Sequence, residues 1–474
     1  MAKHLWFVNL LWVVLGFLSC TDDWKFSASD RYMLDFSADT VRFDTVFSGV
    51  ASASGGFMIY NPNDAGLRFD ALMAMGKLSP FRMNLDGEGG TMITGLEIPA
   101  GDSLFCFISV NIPETGATEP FDASDSIRFV LESGVVQSVK LMAQGQNAVR
   151  LRGKRVESDM VLDSRLPYII FDSLYVADGV TLTIEAGARL YFHKDAVLDV
   201  AGRLVARGTQ DNMIVMRGDR LDDMLEGLPY DLLTGQWGGV RFRGGSYGNR
   251  LEWCDIHGGN WGVLADSAGF EKSKVSIISS VIHNVNGNGI EATGCRIEVA
   301  NSQITNAGVS CVDIAGGWSD FTFCTIAGFS LWNYGAQAVI LADSRDGSAV
   351  PFEGARFRNC IITGRHETEF VAAFADSVSK KAPYSISNSL LMVADSDDSR
   401  YRNVVFEEHG SDYYGPDNFY NQTRVGYNSV FALDSLSPAR GIADTLSVEW
   451  PVDLAGESRP PKGADAGCYQ YVRL

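Results

Sequence analysis

The sequence predicts an all-β protein: a β-sandwich, then a long parallel β-solenoid, then a C-terminal cap. The solenoid follows from a pattern that returns six times between Leu251 and Leu391: a bulky apolar residue, two polar or mixed residues, a small Cys or Ser, one more residue, then Ile or Leu. The copies are Leu251-Cys254-Ile256, Ile277-Ser280-Ile282, Val299-Ser302-Ile304, Phe321-Cys324-Ile326, Phe357-Cys360-Ile362 and Ile386-Ser389-Leu391, with steps of 26, 22, 22, 36 and 29 residues between their last members. Repeats of this period, each too small to bury its own apolar face, stack into solenoids. The all-β class follows from the lack of any sustained apolar stripe at helical spacing, where short alternating runs recur instead. With 49 Gly and only 14 Pro, the composition suits short strands joined by tight turns, and 46% hydrophobic content excludes a disordered chain.

The N-terminal segment 1–19 reads as a secretory signal. Lys3 supplies the basic start, and the apolar run 5–18 is too short to span a bilayer comfortably. It ends in Gly16-Phe17-Leu18-Ser19-Cys20, which resembles the lipobox of bacterial lipoproteins, although Phe17 and Leu18 depart from its commonest form. The resemblance implies cleavage before Cys20 and acylation of its sulfur and new amino group. At about 0.8 kcal/mol per buried methylene, two or three chains anchor a protein durably. Thr21-Asp22-Asp23 is similar to the acidic export signal of Bacteroidota surface lipoproteins. Together these imply an outward-facing protein held in outer-membrane lipid, with 20–33 as its tether.

Residues 34–146 read as seven or eight short strands, the clearest being 41–47, 57–60, 103–110, 126–131 and 135–143. Along 103–110, Leu104, Cys106, Ile108 and Val110 face one way and Phe105 and Phe107 the other, as in a strand buried on both sides. Asn61-Pro62-Asn63-Asp64, Asp86-Gly87-Glu88-Gly89-Gly90 and Pro99-Ala100-Gly101-Asp102 supply turns. With Phe43-Asp44-Thr45-Val46-Phe47 before Gly49, Tyr60-Asn61-Pro62, Ile98-Pro99-Ala100-Gly101-Asp102 and Asn111-Ile112-Pro113, the module resembles immunoglobulin-like domains of the ASH/DUF1573 type. That resemblance implies a spacer or docking role.

The solenoid is placed at 147–430. Val180-Thr181-Leu182-Thr183-Ile184 alternates cleanly, Glu185-Ala186-Gly187 turns, and 190–192, 198–200, 204–206 and 214–216 repeat the beat. Val263, Ile290, Val312 and Val339 supply a second ladder. Cys254, Cys324 and Cys360 share a slot with Ser280, Ser302 and Ser389, which predicts small inward residues rather than disulfides. Asn301, Asn359 and Asn388, each just before that slot, are read as a partial turn ladder. Leu182-Thr183-Ile184-Glu185-Ala186-Gly187 and the run from Ala201 to Thr209 resemble the right-handed parallel β-helix of the pectin-lyase-like superfamily. Residues 431–474, with Ser437-Pro438-Ala439, Asp444, Asp453 to Arg459 and Asp465-Ala466-Gly467-Cys468-Tyr469, resemble the C-terminal segment of such β-helix lipoproteins. Gln470 stands where that segment usually has an acid. The segment is read as a cap on the exposed last coil.

A net charge of −19 repels nucleic acid, and no basic cluster with interleaved aromatics offsets it. None of the eight cysteines forms a CxxC pair, and no metal-ligand set or cofactor site is expected. The Asn-Thr-Asp, Gly-His-Gly and Arg-Ile-Lys motifs of polygalacturonase-type hydrolases do not occur, nor does an Asp-rich strand with a basic partner as in calcium-dependent lyases. His257 and His283 occupy equivalent slots just after the inward Ile, so both should point outward side by side. Glu291 and Asp313 are likewise equivalent, one rung or about 5 Å apart. Such a pair shares a proton or a cation, or is simply solvated. Trp261, Trp318 and Trp332 are placed in turns past the ladders, to stack on sugars or close coil corners. The insertion 217–230 carries Arg217, Asp219, Arg220, Asp222, Asp223 and Glu226, a charged rim or a site-bearing loop. The expectation is a non-catalytic, lipid-anchored surface protein presenting a β-helix face to a polysaccharide or an envelope protein. A lyase or hydrolase of uronic-acid polysaccharides using those four residues is the alternative, and a structural subunit of an envelope complex is the third reading.

Overall fold

In a computed structural model, the structure describes residues 25–50, 55–225, 227–331, 333, 335–375, 383–411, 413–422 and 429–473. Cys20 with the signal segment, Glu226 and Trp332 lie outside the described residues. The chain divides into two units, Met1–Asn147 and Ala148–Leu474. Among the described residues no helix is long and apolar enough to cross a membrane.

The first unit is a sandwich of two five-stranded sheets. One runs Asp35–Phe36, Gly55–Tyr60, Ser103–Val110, Phe81–Leu85, Glu88–Gly90, and the other Thr40–Phe47, Val136–Gln146, Phe121–Leu131, Leu67–Met73, Met92–Ile98. The pairing is antiparallel except between Thr40–Phe47 and Val136–Gln146, which run parallel. Strands of two or three residues such as Asp35–Phe36 and Glu88–Gly90 are too short for alternation to reveal. Phe57, Phe69, Phe81, Phe129, Ile108 and Leu141 fill the core. Ser103–Val110 departs from expectation, because only one of its faces is buried. Phe105 and Phe107 are 39% and 52% exposed and pack edge to face on each other, ring centroids 4.6 Å apart. A two-layer sandwich has one interior per sheet, so the odd-numbered aromatics fall outside it. Phe105 also lies over Gly56, where a β-carbon would come within 2.6 Å of its ring.

The second unit is a parallel β-helix of three strand stacks. The first contains Ile214–Gly218, Cys254–His257, Val281–Val285, Gln303–Ala307, Thr325–Gly328, Ile361–Gly364 and Leu390–Leu391. The second contains Val197–Val200, Gly239–Phe242, Val263–Ala265, Ile290–Thr293, Val312–Ala315, Val339–Ala342 and Phe370–Ala373. The third contains Thr181–Ile184, Arg203–Arg207, Asn249–Glu252, Ser273–Ile278, Arg296–Ala300, Gly317–Thr322, Phe352–Arg358 and Tyr384–Ser387. The sequence repeat is the physical rung. Ile256, Ile282, Ile304, Ile326, Ile362 and Leu391 pair in that order, as do Leu251, Ile277, Val299, Phe321, Phe357 and Ile386. The second ladder holds from Val263 through Ile290, Val312 and Val339, and Phe370 extends it. The long step of 36 residues accommodates a hairpin of Ser344–Arg345 with Ser348–Ala349.

The Cys/Ser slot is a buried column, and the seven described cysteines are free. Serine does more there than fill space. Ser280 Oγ accepts the Cys254 N–H at 3.1 Å, Ser302 Oγ that of Ser280 at 3.1 Å, and Ser389 Oγ that of Cys360 at 3.0 Å. The residue before each slot, from Trp253 through Ser279, Asn301, Phe323 and Asn359 to Asn388, has φ between 47° and 56°. This left-handed corner suits Asn, whose short amide tolerates it, and strains Trp and Phe.

The C-terminal segment reaches well beyond the last coil, running back along these corners. Ile442 C=O accepts from the side chains of Asn388 and Asn403; Asp444 and Asn359 exchange two hydrogen bonds; Arg459 donates to Asn301 Oδ1 at 2.7 Å. Farther on, Gln210 donates to Ala455 C=O at 2.7 Å. The Asn column is thus a docking strip for residues 437–471. Beside it Phe329, Phe419, Phe431, Leu433 and Ala466 form a second apolar cluster on the outside of the first stack.

Candidate functional site

The first stack carries a histidine–carboxylate cluster. In Cys254–His257 the inward Ile256 leaves Asp255 and His257 pointing outward, and His283 sits on the next rung opposite His257. The two imidazoles stack with centroids 4.7 Å apart. Asp255 Oδ1 lies 2.9 Å from His257 Nδ1 and 3.1 Å from His283 Nε2.

The insertion between Ile214–Gly218 and Gly239–Phe242 folds over this pair. Its short 3-10 turn, Tyr230–Leu232, brings Asp231 Oδ1 to 2.8 Å from His257 Nε2, and Arg217 forms an ion pair with the same carboxylate. Gln236 fastens the turn by donating to the carbonyls of Tyr230 and Leu233. Trp237, fully buried and stacked on Phe192 at 4.2 Å, donates its indole N–H to His257 C=O at 2.8 Å. Consequently the His257 side chain is only 5% exposed, although it points away from the coil axis.

Burial disfavours the His257 cation, but the Asp255 carboxylate and the hydrogen bonds to Asp231 and Asp255 outweigh it, pushing its pKa to about 9. The arrangement favours the doubly protonated ring, with each nitrogen facing a carboxylate. Burial likewise opposes ionisation of Asp255, yet His257 and His283 hold it far below the usual carboxylate range. Asp231 is also lowered, with burial opposing and the His257 hydrogen bond dominating among the favourable causes.

Glu291 and Asp313 pair on the second stack. Arg345, from the 344–349 hairpin, grips Asp313 with two bonds of 2.8 and 2.9 Å and reaches Glu291 at 4.0 Å. Asn288 donates to Glu291 at 2.8 Å and Asp313 at 3.3 Å. The structure therefore joins the residues within each pair and holds the two pairs on separate strands, each with its own counter-charge. Trp261 does lie in a turn, against Gly239, whose missing side chain makes room for the indole. Trp318 does not: it belongs to Gly317–Thr322, because the left-handed pair Gly316 and Gly317 ends the turn one residue earlier. Its ring packs on Gly354 beneath the Arg356 guanidinium, 5.4 Å away. Asp255, Asp231 and Arg345 were missing from the sequence candidates. Only Asp255 had a local signal, since it alternates with His257 about Ile256.

The structure thus defines a two-unit all-β protein, a sandwich and a parallel β-helix. No family model and no curated sequence matches the chain. Among solved structures it is similar to the A-module of a mannuronan C-5 epimerase, AlgE6, of Azotobacter vinelandii, at 9% identity and TM-score 0.31, covering 56% of this chain and 90% of that one. An ASH/PapD-like domain of human CEP192 matches at 10% identity and TM-score 0.17, over 24% of this chain and 84% of that one. A family 123 glycoside hydrolase from Clostridium perfringens matches at 9% identity and TM-score 0.18, over 26% of this chain and 30% of that one.

Proposed function

We propose that this protein is a non-catalytic binding protein, lipid-anchored through Cys20 at the outer membrane, whose β-helix flank engages a polysaccharide or an envelope protein. The observation that carries the reading is the state of His257, the most enclosed of the candidate bases. Its side chain is only 5% exposed and both ring nitrogens are engaged, Nδ1 with Asp255 and Nε2 with Asp231, so neither is presented to a substrate. Glu291 and Asp313 are committed to Arg345 and Asn288 in the same way. Purified protein incubated with a panel of uronic-acid polysaccharides and scored for unsaturated or reducing ends should release nothing, while a glycan array or pull-down from envelope extract should return a partner. Turnover of any polysaccharide that disappears in His283→Ala would refute the reading. Loss of radiolabelled palmitate uptake in Cys20→Ala tests the anchor.

One observation favours the enzymatic alternative. His283 is 24% exposed and directs Nε2 to Asp255, the orientation in which a carboxylate steers an imidazole and leaves Nδ1 as a base. The same His283→Ala assay separates the two.

A further inference from the structure

The donor atoms of the histidine–carboxylate cluster converge from two coils and an insertion. The geometry points to a binding site for one divalent transition-metal ion of the zinc class, ligated by Asp255 Oδ1, His257 Nδ1 and His283 Nε2. One donor atom from each of these residues lies within 4.8 Å of the other two. Asp255 Oδ1 is 2.9 Å from His257 Nδ1 and 3.1 Å from His283 Nε2. Ligands at about 2.0–2.2 Å around a tetrahedral ion stand roughly 3.4 Å from one another, so a small rotation of the stacked imidazoles admits it. Two imidazoles and one carboxylate suit zinc and its first-row neighbours. Calcium and magnesium, which take oxygen donors, are poorly served.

An independent observation is the outer carboxylate. Metal-binding histidines commonly donate their second N–H to a carboxylate, which sets tautomer and ring orientation. Asp231 stands 2.8 Å from His257 Nε2 and is itself held by Arg217. It keeps hydrogen on Nε2 and turns the Nδ1 lone pair toward the ion, which replaces the hydrogen now shared with Asp255. His283 makes the corresponding change by carrying its hydrogen on Nδ1. The backbone beneath is fixed as well, through the Trp237 bond to His257 C=O. Asp255 and His283 keep side-chain exposures of 29% and 24%, which leaves a fourth position open to water or an incoming ligand oxygen. Three protein ligands and one open position distinguish a site that engages ligands from a closed structural one.

The site does not depend on the binding role proposed above. To test it, full-length protein stripped with chelator is titrated with Co²⁺, followed by visible absorption, and with Zn²⁺, followed by calorimetry. One equivalent should bind, Zn²⁺ should displace Co²⁺, and the melting temperature should rise. His283→Ala and Asp255→Asn should abolish the absorption, and Asp231→Asn should weaken affinity about 10–100-fold. His193→Ala, which removes a side chain that bonds Asp219 and packs on Phe171, should change nothing. Where near-ultraviolet circular dichroism shows Asp255→Asn misfolded, the partly exposed His283→Ala decides alone. No absorption from folded wild type, or undiminished binding by His283→Ala, overturns the assignment.

Discussion

Arg459→Ala should release the C-terminal segment from the flank of the β-helix while leaving the coils wound. Arg459 is buried, 4% exposed, and its guanidinium lies 4.2 Å over the Phe323 ring. It donates to Asn301 Oδ1 at 2.7 Å, to Val452 C=O at 2.5 Å, and more weakly to the carbonyls of Trp450 and Gly467 at 3.3 Å each. Hydrogen bonds from a charged donor contribute about 1.5–3 kcal/mol each, and a desolvated cation over an aromatic ring about 2 kcal/mol. Opposing them, burial disfavours the cation strongly enough to lower its pKa to about 10, with Asp453 the main compensating charge. Two strong bonds and the ring contact, less that desolvation, leave about 3–5 kcal/mol for truncation of a buried charged partner. Cys468 supplies the local readout. It is buried beside Thr325, and burial pushes its thiol up to about 12, so in the native fold it should resist thiol reagents. In Arg459→Ala, labelling of Cys468 should accelerate and amide exchange across 450–471 should rise by a factor of at least about 100, while 273–307 stays protected. Arg459→Lys, which keeps the charge but loses the planar fork, should fall between. A Cys468 labelling rate unchanged in Arg459→Ala would refute the clamp.

Ile304→Ala removes a fully buried rung between Ile282 and Ile326 and should cost about 2–5 kcal/mol in urea unfolding. Arg345→Ala leaves Glu291 and Asp313 facing each other uncompensated and should cost about 2 kcal/mol at pH 7. Their mutual repulsion is screened by ions, so the deficit should shrink in high salt, as melting curves would show. Burial raises the pKa of Glu407, against its bonds from Asn418 and Gly415. A carboxyl raised in the folded state restrains stability above that pKa and restores it as pH falls toward the unfolded value. Glu407→Gln should therefore melt higher than wild type at pH 7–8, with the gap closing toward pH 4.

The ladders were legible because inside and outside alternate along each strand, and coil stacking brings like residues onto one another. Ile256 to Leu391 and the Cys/Ser column needed no long-range information. The corner conformation was half legible: Asn301, Asn359 and Asn388 marked it, while Trp253 and Phe323 occupy the same left-handed corner with no sequence signal. What periodicity cannot show is what lies on top of a strand. His257 does point outward, but Asp231 arrives from 26 residues earlier and covers it. Phe105 and Phe107 alternate like core residues yet face outward, since alternation does not reveal which side of a sheet is covered. Arg345 could not be paired with Asp313 because the hairpin bearing it has no counterpart in the neighbouring coils.

A stack whose members touch only their neighbours can unwind from either end, one turn at a time. Here Ala455 is tied to Gln210, 245 positions earlier, while Ile442 is tied to Asn388 and Asn403 near the other extremity. That lengthwise lashing couples the first windings to the last, so that fraying at one extremity must be felt at the other. It also orders assembly in time: a chain can wind its turns as they emerge during synthesis, but stays unlaced until residues 437–471 follow.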